Sequence, residues 1–541
     1  MRFTVRSVIT SITFAIIVPA ASAANLYVDG NLGNDANPCT APGIAACQTI
    51  QAAVNKASPG DTIFVAASTY PELAPGPLTI NKTLTLLGAQ AGVDARARVG
   101  AESIVTDSQG TSVSASDVTI DGFTFQNSVN NAFTGYGIWL NPGISGTAII
   151  NNIVQNNIVG IGLANTGAQA IIRHNLIRNN NVPGSATGNG IYTDQFAGGA
   201  AVRNVLIEEN DFIGNDDAAI DVSNTDPSGG AFNLDISNNS FNGNGRAILL
   251  FNTHNSTIHD NSILNSTFVG SAAIRLFDNN SNLSITSNDL SVGAGHAIRL
   301  SFLGAVGGPS SGVVIHQNNI GLVGPGSFAL NGLLVDPGSH VGTVDAECNW
   351  WGSPTGPVNP TNPGGTGEEV VGNADFTPWL LAPAPGAPCL GGVPSTPGKV
   401  TGGGQIPGQD PVFSPLGELL SLPALIPSLA NPTGRATFGF VVQCCPAKGN
   451  LEYKDHEMDV RIKARSIDSL VIEPGPCGAN THATFTGTAD VIRPSGTTTE
   501  FLIVEVDDCG EPGTADTFRI QTDTYANGPS TLTGGNIQIH R

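Results

Sequence analysis

The side chains best suited to chemistry gather in the middle of this 541-residue chain. Asp194, Asp216, Asp217 and Asp221 lie close together, and Arg275 and Arg299 follow. Two carboxylates held about 5 to 9.5 Å apart across a glycosidic bond can hydrolyse it. A calcium ion that acidifies the C5 proton of a uronate, with a basic side chain to remove it, would instead give a lyase. Asp194, Asp221, Arg275 and Arg299 are therefore the candidate catalytic residues, and Asp216 and Asp217 the candidate calcium ligands. Trp139, Tyr192, Phe251 and Phe277 add rings that can stack on pyranose faces while Asp221, Arg275 and Arg299 fix hydroxyls or charge; these seven form the candidate ligand-binding set.

Such residues act together only if regular structure aligns them, and a repeat does so. Between about residues 117 and 351 an Ile is followed three residues later by Asn and five residues later by a large apolar side chain, as in Ile149/Asn152/Val154, Ile207/Asn210/Phe212 and Ile315/Asn318/Ile320. The copies recur every 22 to 35 residues or so, a solenoid period. Each copy holds a further short strand opening Gly-Ile or Ala-Ile, for example Gly137-Ile138, Gly190-Ile191 and Ala273-Ile274. Two or three short strands per copy, without helical periodicity, describe one rung of a coil, and about nine rungs are recognisable. If Ile and the second residue after it point inward, the residue between them points outward. Trp139, Gly162, Tyr192, Asp221, Leu249, Arg275, Arg299 and Leu334 then form one outward column, and Asn141, Asp194, Ser223, Phe251, Phe277, Ser301 and Asp336 the next.

The recurring Asn is expected to sit at a bend, in left-handed backbone geometry, with its amide bonded to the Asn of the next rung about 4.8 Å away. His259 and His316 take equivalent outward positions with the Thr286 rung between them and are expected to be solvated. A coil also needs closed ends. Thr49 to Lys56 carries Ile50, Ala53 and Val54 at helical spacing before a strand at Thr62 to Val65, while Trp350, Trp351, Phe376 and Trp379 offer aromatic cover at the far end.

Composition narrows the function. A net charge of −21, with no Lys between Lys82 and Lys399, excludes a nucleic-acid partner. Arg2 and Arg6, an apolar run from Val8 to Val18 and Ala21-Ser22-Ala23 read as a secretory signal peptide, so the mature chain is expected to have no membrane span and to be secreted, extracellular or at the cell surface. Eight cysteines then point to disulfides. Cys39 with Cys47 is the local pair, Cys348 and Cys389 could tie the end of the repeats, and Cys444, Cys445, Cys477 and Cys509 form a group whose pairing the sequence leaves open. No cofactor is implied, although an acidic chain leaves room for calcium, with Asp507, Asp508, Glu511 and Asp516 as a second acidic group that a surface loop explains better.

The stretches CQTIQAAVNKASPGDTIFVAASTYPE and INKTLTLLGAQAG resemble the entry of bacterial β-helix repeat proteins of the pectin-lyase-like superfamily, and NWWGSPTGP with DFTPWL resembles their closing segment. The resemblance covers roughly residues 25 to 381 and implies a fold; the superfamily's lyases, hydrolases, phage depolymerases and adhesins share no single activity. NDDAAIDV, residues 215 to 222, resembles the paired aspartates of polygalacturonases, yet no Arg-Ile-Lys segment accompanies it and GHAIRL at 295 to 300 lies too far along to be the family's Gly-His-Gly partner. Asp216 and Asp217 occupy the turn position that Gly245-Arg246 fills in a later copy. VTGGG near residue 400 and TGGNIQIH near the end resemble a post-COAP domain.

The expected organisation is a signal peptide (1–23), an N-terminal cap with the first turns (24–112), right-handed parallel β-helix repeats with a C-terminal cap (113–381), a Pro/Gly-rich linker (382–398) and a C-terminal domain (399–541) forming a small antiparallel β-sandwich or barrel. The fold class is all-β. The expected function is noncatalytic binding of a polysaccharide or cell-surface glycan by a secreted monomer. The first alternative is a polysaccharide lyase or glycoside hydrolase acting on an acidic polysaccharide, and the second a structural surface protein.

Overall fold

A computed structural model describes residues 23–72, 77–106, 108–130, 135–199, 201–393, 395–408 and 434–541. The signal-peptide expectation, apart from its last residue, lies outside them. The chain forms two compact units, Met1–Leu283 with Phe302–Ser310, and Ser284–Ser301 with Ser311–Arg541. It is nearly all β: a right-handed parallel β-helix followed by an antiparallel half-barrel. Among the described residues no helix is long and apolar enough to cross a membrane.

In the first unit each rung contributes one strand to each of three parallel sheets. The rung built on Ile207, for example, supplies Ala201–Glu208, Asp211–Ile213 and Ala218–Val222. Inward side chains stack from rung to rung. Ile149, Ile172, Ile207, Ile236 and Ile258 are at most 1% exposed, and the rings of Phe212 and Phe241 stack at 5.0 Å.

The recurring Asn is buried at the first corner, where its amide serves as a connector. Asn175 Oδ1 accepts both the backbone N–H (2.8 Å) and the Nδ2 (3.3 Å) of Asn152, while Asn175 Nδ2 donates to Ile149 O (2.9 Å) and Asn210 Oδ1 (2.9 Å). The same exchange continues through Asn210, Asn239 and Asn261. In the second unit Asn288, Asn318 and Asn349 repeat it. One part of the sequence expectation is corrected: the left-handed residue is the one before the ladder Asn. Asn151, His174, Glu209, Asn238 and Asp260 have φ between 53° and 55°. The backbone reverses at that residue, which aims the following amide inward along the stack. A left-handed non-glycine residue costs roughly 1–2 kcal/mol, and the satisfied polar groups of the ladder offset it.

A second ladder at the next corner was not anticipated. Asn157, Asn180, Asn215 and Asn244 are linked Nδ2 to Oδ1 at 2.9–3.1 Å, each after a left-handed Asn or Gly at 156, 179, 214 or 243. Its members follow the first by five residues and are hidden among the many other asparagines of the turns.

The N-terminal helix is Ile50–Lys56, capped by Thr49 Oγ1, which accepts from Ala52 N at 3.2 Å. Glu72 accepts from the N–H groups of Ile50 and Gln51, satisfying donors that a helix start leaves open. Its apolar face, Ile50, Ala53 and Val54, is fully buried. In the second unit Trp351 is 0% exposed, with Trp350, Phe376 and Trp379 also buried. Disulfides join Cys39 to Cys47, Cys348 to Cys389, Cys444 to Cys445 and Cys477 to Cys509.

The C-terminal antiparallel part of the second unit is one sheet of nine strands, the half-barrel. Its first strand, Gly398–Pro407, pairs with its last, Gly534–His540, so the VTGGG and GGNIQIH segments lie side by side. Gly535 sits at φ 113°, and a Cβ there would stand 2.2 Å from Gly403 O. In the acidic segment, Asp516 accepts from Cys509 N and Ile537 N, and Asp508 from Ile539 N, as expected of carboxylates that hold a loop.

Candidate functional site

The third sheet of the first unit carries the predicted outward column. Register partners run Trp139, Gly162, Tyr192, Asp221, Leu249 and Arg275 across six parallel strands. Their inward neighbours, including Ile138, Ile161, Ile191, Ile220, Ile248 and Ile274, are all 0% exposed. The alternation was legible; the solvation was not.

At one end of the column the chain opens into a cleft of 290 Å³ lined by Tyr136, Trp139, Ile158, Tyr192, Asp194 and Phe196 among others. The rings of Tyr136 and Trp139 lie 5.9 Å apart and 24° from parallel. Gly162 makes room for both, since a Cβ there would come within 2.8 Å of Trp139 and 2.9 Å of Tyr136. Trp139 Nε1 donates to Ala197 O at 3.1 Å, which fixes the indole and leaves its remaining surface apolar. Phe196 is 75% exposed at the rim, an unusual position for a large ring.

Asp194 organises this end. Its Oδ2 accepts from Tyr192 OH at 2.9 Å, and its Oδ1 accepts from Phe196 N (2.8 Å) and Ala197 N (2.6 Å). Burial, and then the Asp194 charge, push the Tyr136 phenol up to about 12 and raise Tyr192 further, so both are neutral donors at physiological pH. Tyr136 and Phe196 escaped the sequence reading. Tyr136 opens a strand three residues before Trp139, outside the period-two column, and Phe196 belongs to a turn.

Asp221 is 5% exposed and takes a hydrogen bond from Ser223 Oγ. Burial lifts its carboxyl to about 7, with Asp217 and Asp194 adding to the rise and Ser223 and Arg246 opposing it. Asp217 is ion-paired with Arg246, whose guanidinium also donates to Ser271 Oγ at 2.8 Å and lies 4.2 Å over the Phe268 ring. Asp217, expected with Asp216 as a calcium ligand, thus already has a cation beside it; among the described residues no three His, Cys, Asp or Glu side chains gather as a metal site.

Phe251, Phe277 and Arg275, expected as ligand-binding residues, pack on one another. Phe251 and Phe277 stack on each other at 4.5 Å, Arg275 lies 4.5 Å over Phe277, and Phe251 packs against the buried Val306. The segment Phe302–Ser310 covers them, held by Asp278, which accepts from Leu303 N, Ala305 N and Val306 N. Apolar rings on an outward column are removed from water when a long turn folds back over them. Arg299, in the second unit, is held by Asp336 at 2.9 Å. His259 pairs with Asp235 and Asp260, and His316 with Asp345, each about one-third exposed. Of the predicted residues, the structure brings Trp139, Tyr192 and Asp194 together at the cleft, and not Arg275, Arg299, Phe251 or Phe277.

Residues 177–332 match a family model described as a right handed beta helix region. No curated protein matches the chain. Among solved structures, pectate lyase Pel9A is similar at 14% identity over 68% of this chain and 82% of its own, with a TM-score of 0.33. The Agl-KA catalytic domain is similar at 16% identity over 68% of this chain and 70% of its own, TM-score 0.40. The GH136 lacto-N-biosidase from Eubacterium ramulus is similar at 12% identity over 65% of this chain and 67% of its own, TM-score 0.37. At these identities and scores none of the three bears on the site. The stretch that matches the right-handed β-helix region is also the stretch that carries Tyr192, Asp194, Asp221 and Arg275.

Proposed function

We propose that the chain is a secreted glycan-binding protein whose third sheet presents the cleft at Tyr136, Trp139 and Tyr192 to a sugar chain. The observation that carries this reading is the cleft itself, where three aromatic rings and an exposed Phe196 surround an apolar floor beside a single ordered carboxylate. Rings bind the apolar faces of pyranoses, and a few fixed polar groups select hydroxyls. Asp194 is engaged by Tyr192 and by the 195–197 turn, and Asp217 by Arg246, which favours positioning over acid–base work. Four disulfides suit an oxidising, extracellular setting.

One observation favours the catalytic alternative. Asp221 is a buried carboxyl lifted to about 7, the range of a general acid. Incubating the chain with acidic and neutral polysaccharides, with and without calcium, while following reducing ends and unsaturated uronates, separates the two. Retention without product, lost in Trp139→Ala, supports binding. Product that disappears in Asp221→Asn supports catalysis.

A further inference from the structure

The basic side chains of this acidic molecule are unevenly spread. Of six lysines, none falls between Lys82 and Lys399, and four, Lys399, Lys448, Lys454 and Lys463, lie beyond that gap. The half-barrel collects several of them on one face. Alternation along Arg435–Cys444, Lys448–Asp455 and Val460–Gly475 sends Phe438, Phe440, Tyr453 and Ile462 into the core and turns Thr437, Glu452, Lys454, Arg461 and Lys463 outward. Register places Thr437 beside Lys454, Lys454 beside Arg461 and Glu452 beside Lys463.

These residues line a groove of 760 Å³, within the roughly 300–1,000 Å³ usual for ligand sites. Its floor includes Gly439, where a Cβ would meet nothing within 4 Å. The positive charge is only partly cancelled. Glu452 pairs with Arg461, and the exposed Asp459 stands 3.7 Å from Lys454. Asp490 pairs with Arg465 at 2.7 Å and is, with Glu452, a register partner of Lys463, which is the surplus cation beside these three carboxylates.

We propose that this groove is a second binding site, for an oligosaccharide bearing uronate carboxylates. Outward residues two apart on one strand are about 6.7 Å apart, and neighbouring strands about 4.8 Å. Lys454, Arg461 and Lys463 therefore form a patch on the scale of successive pyranose units, while the Thr437 hydroxyl and the Asn450 amide beside them can meet sugar hydroxyls. Charge complementarity selects the uronate: Lys454, Arg461, Lys463 and Arg465 exceed Glu452, Asp459 and Asp490 by one positive charge, in a chain whose net charge of −21 repels denser polyanions. The site is independent of the aromatic cleft.

The full chain and its Trp139→Ala variant are titrated with oligogalacturonate, with a neutral oligosaccharide of equal length, with polyphosphate and with anionic phospholipid vesicles. Adding Arg461→Gln and Lys463→Gln together is expected to weaken oligogalacturonate binding about tenfold or more in both backgrounds and to leave neutral-sugar binding unchanged. Glu452→Gln, which removes the competing carboxylate, is expected to tighten it. Unchanged oligogalacturonate affinity in the double variant, weaker binding in Glu452→Gln, or preference for polyphosphate or vesicles over oligogalacturonate would overturn the proposal.

Discussion

Gly162 and Trp139 are register partners on adjacent strands, and the missing side chain of the one is the space occupied by the indole of the other. A Cβ at 162 would stand 2.8 Å from Trp139 Cδ1. Gly162→Ala should therefore shift the Trp139 and Tyr136 rings and weaken glycan binding by about tenfold, with little change in the unfolding midpoint. Equilibrium titration and thermal unfolding of the same preparation check both halves.

Tyr192 offers a ring face and a hydroxyl, and the hydroxyl is already committed to Asp194. Stacking then predicts that Tyr192→Phe keeps affinity within about threefold, whereas Tyr192→Ala loses roughly ten- to a hundredfold, or about 1.4–2.8 kcal/mol. Equal losses in the two variants would move the weight to the hydroxyl.

The ladder makes a stability prediction. Asn210→Ala removes the acceptor of Asn175 N and Asn175 Nδ2, and the donor to Ile172 O and Asn239 Oδ1, all in a buried corner. Each buried polar group left unmatched costs about 1–3 kcal/mol, so a loss of at least about 3 kcal/mol is expected. Asn242→Ala, which removes the exposed acceptor of Asn265 Nδ2 at a residue in ordinary strand geometry, should cost less than about 0.5 kcal/mol. Denaturant unfolding of both variants gives the comparison.

Asp221 gives the chain a pH signature. Its carboxyl is raised in the folded state from 3.8 to about 7, so folding favours the protonated form. Stability from this group is fully present below about pH 3.8 and is lost as pH rises through about 7. Relative to Asp221→Asn, the parent chain should therefore lose stability between pH 4 and 8. Paired unfolding curves across that window read the difference, and parallel curves would contradict the assigned burial.

Phe251 separates packing from binding. It stacks on Phe277 beneath Val306, so Phe251→Ala should cost about 3 kcal/mol of stability and leave glycan affinity unchanged. Calorimetry with and without the sugar distinguishes the outcomes.

The fold was legible because its signals are periodic. Ile-x-x-Asn-x-apolar marks a corner followed by a strand in each rung from Ile149 to Ile315, and Gly-Ile or Ala-Ile marks the strand that carries the outward column. The site was less legible because it depends on what the turns do. Asp194 lay in a predicted column, but its hold on the 195–197 turn depends on the path of the chain after it. Phe251 and Phe277 looked exposed by alternation, and the 302–310 segment, distant in sequence, helps to bury Phe251 and leaves Phe277 half-buried. The left-handed positions were read one residue late, because Asn suits both the bend and the ladder, and in this chain His174, Glu209 or Asp260 takes the bend while Asn takes the ladder.

The most direct test of the cleft as a glycan site is a titration of the intact chain and Trp139→Ala against the oligosaccharide best retained in a panel screen, at constant salt. Saturable binding by the intact chain and at least a tenfold loss in Trp139→Ala, with matching unfolding midpoints, is the predicted result. Equal affinity in the two proteins would contradict it.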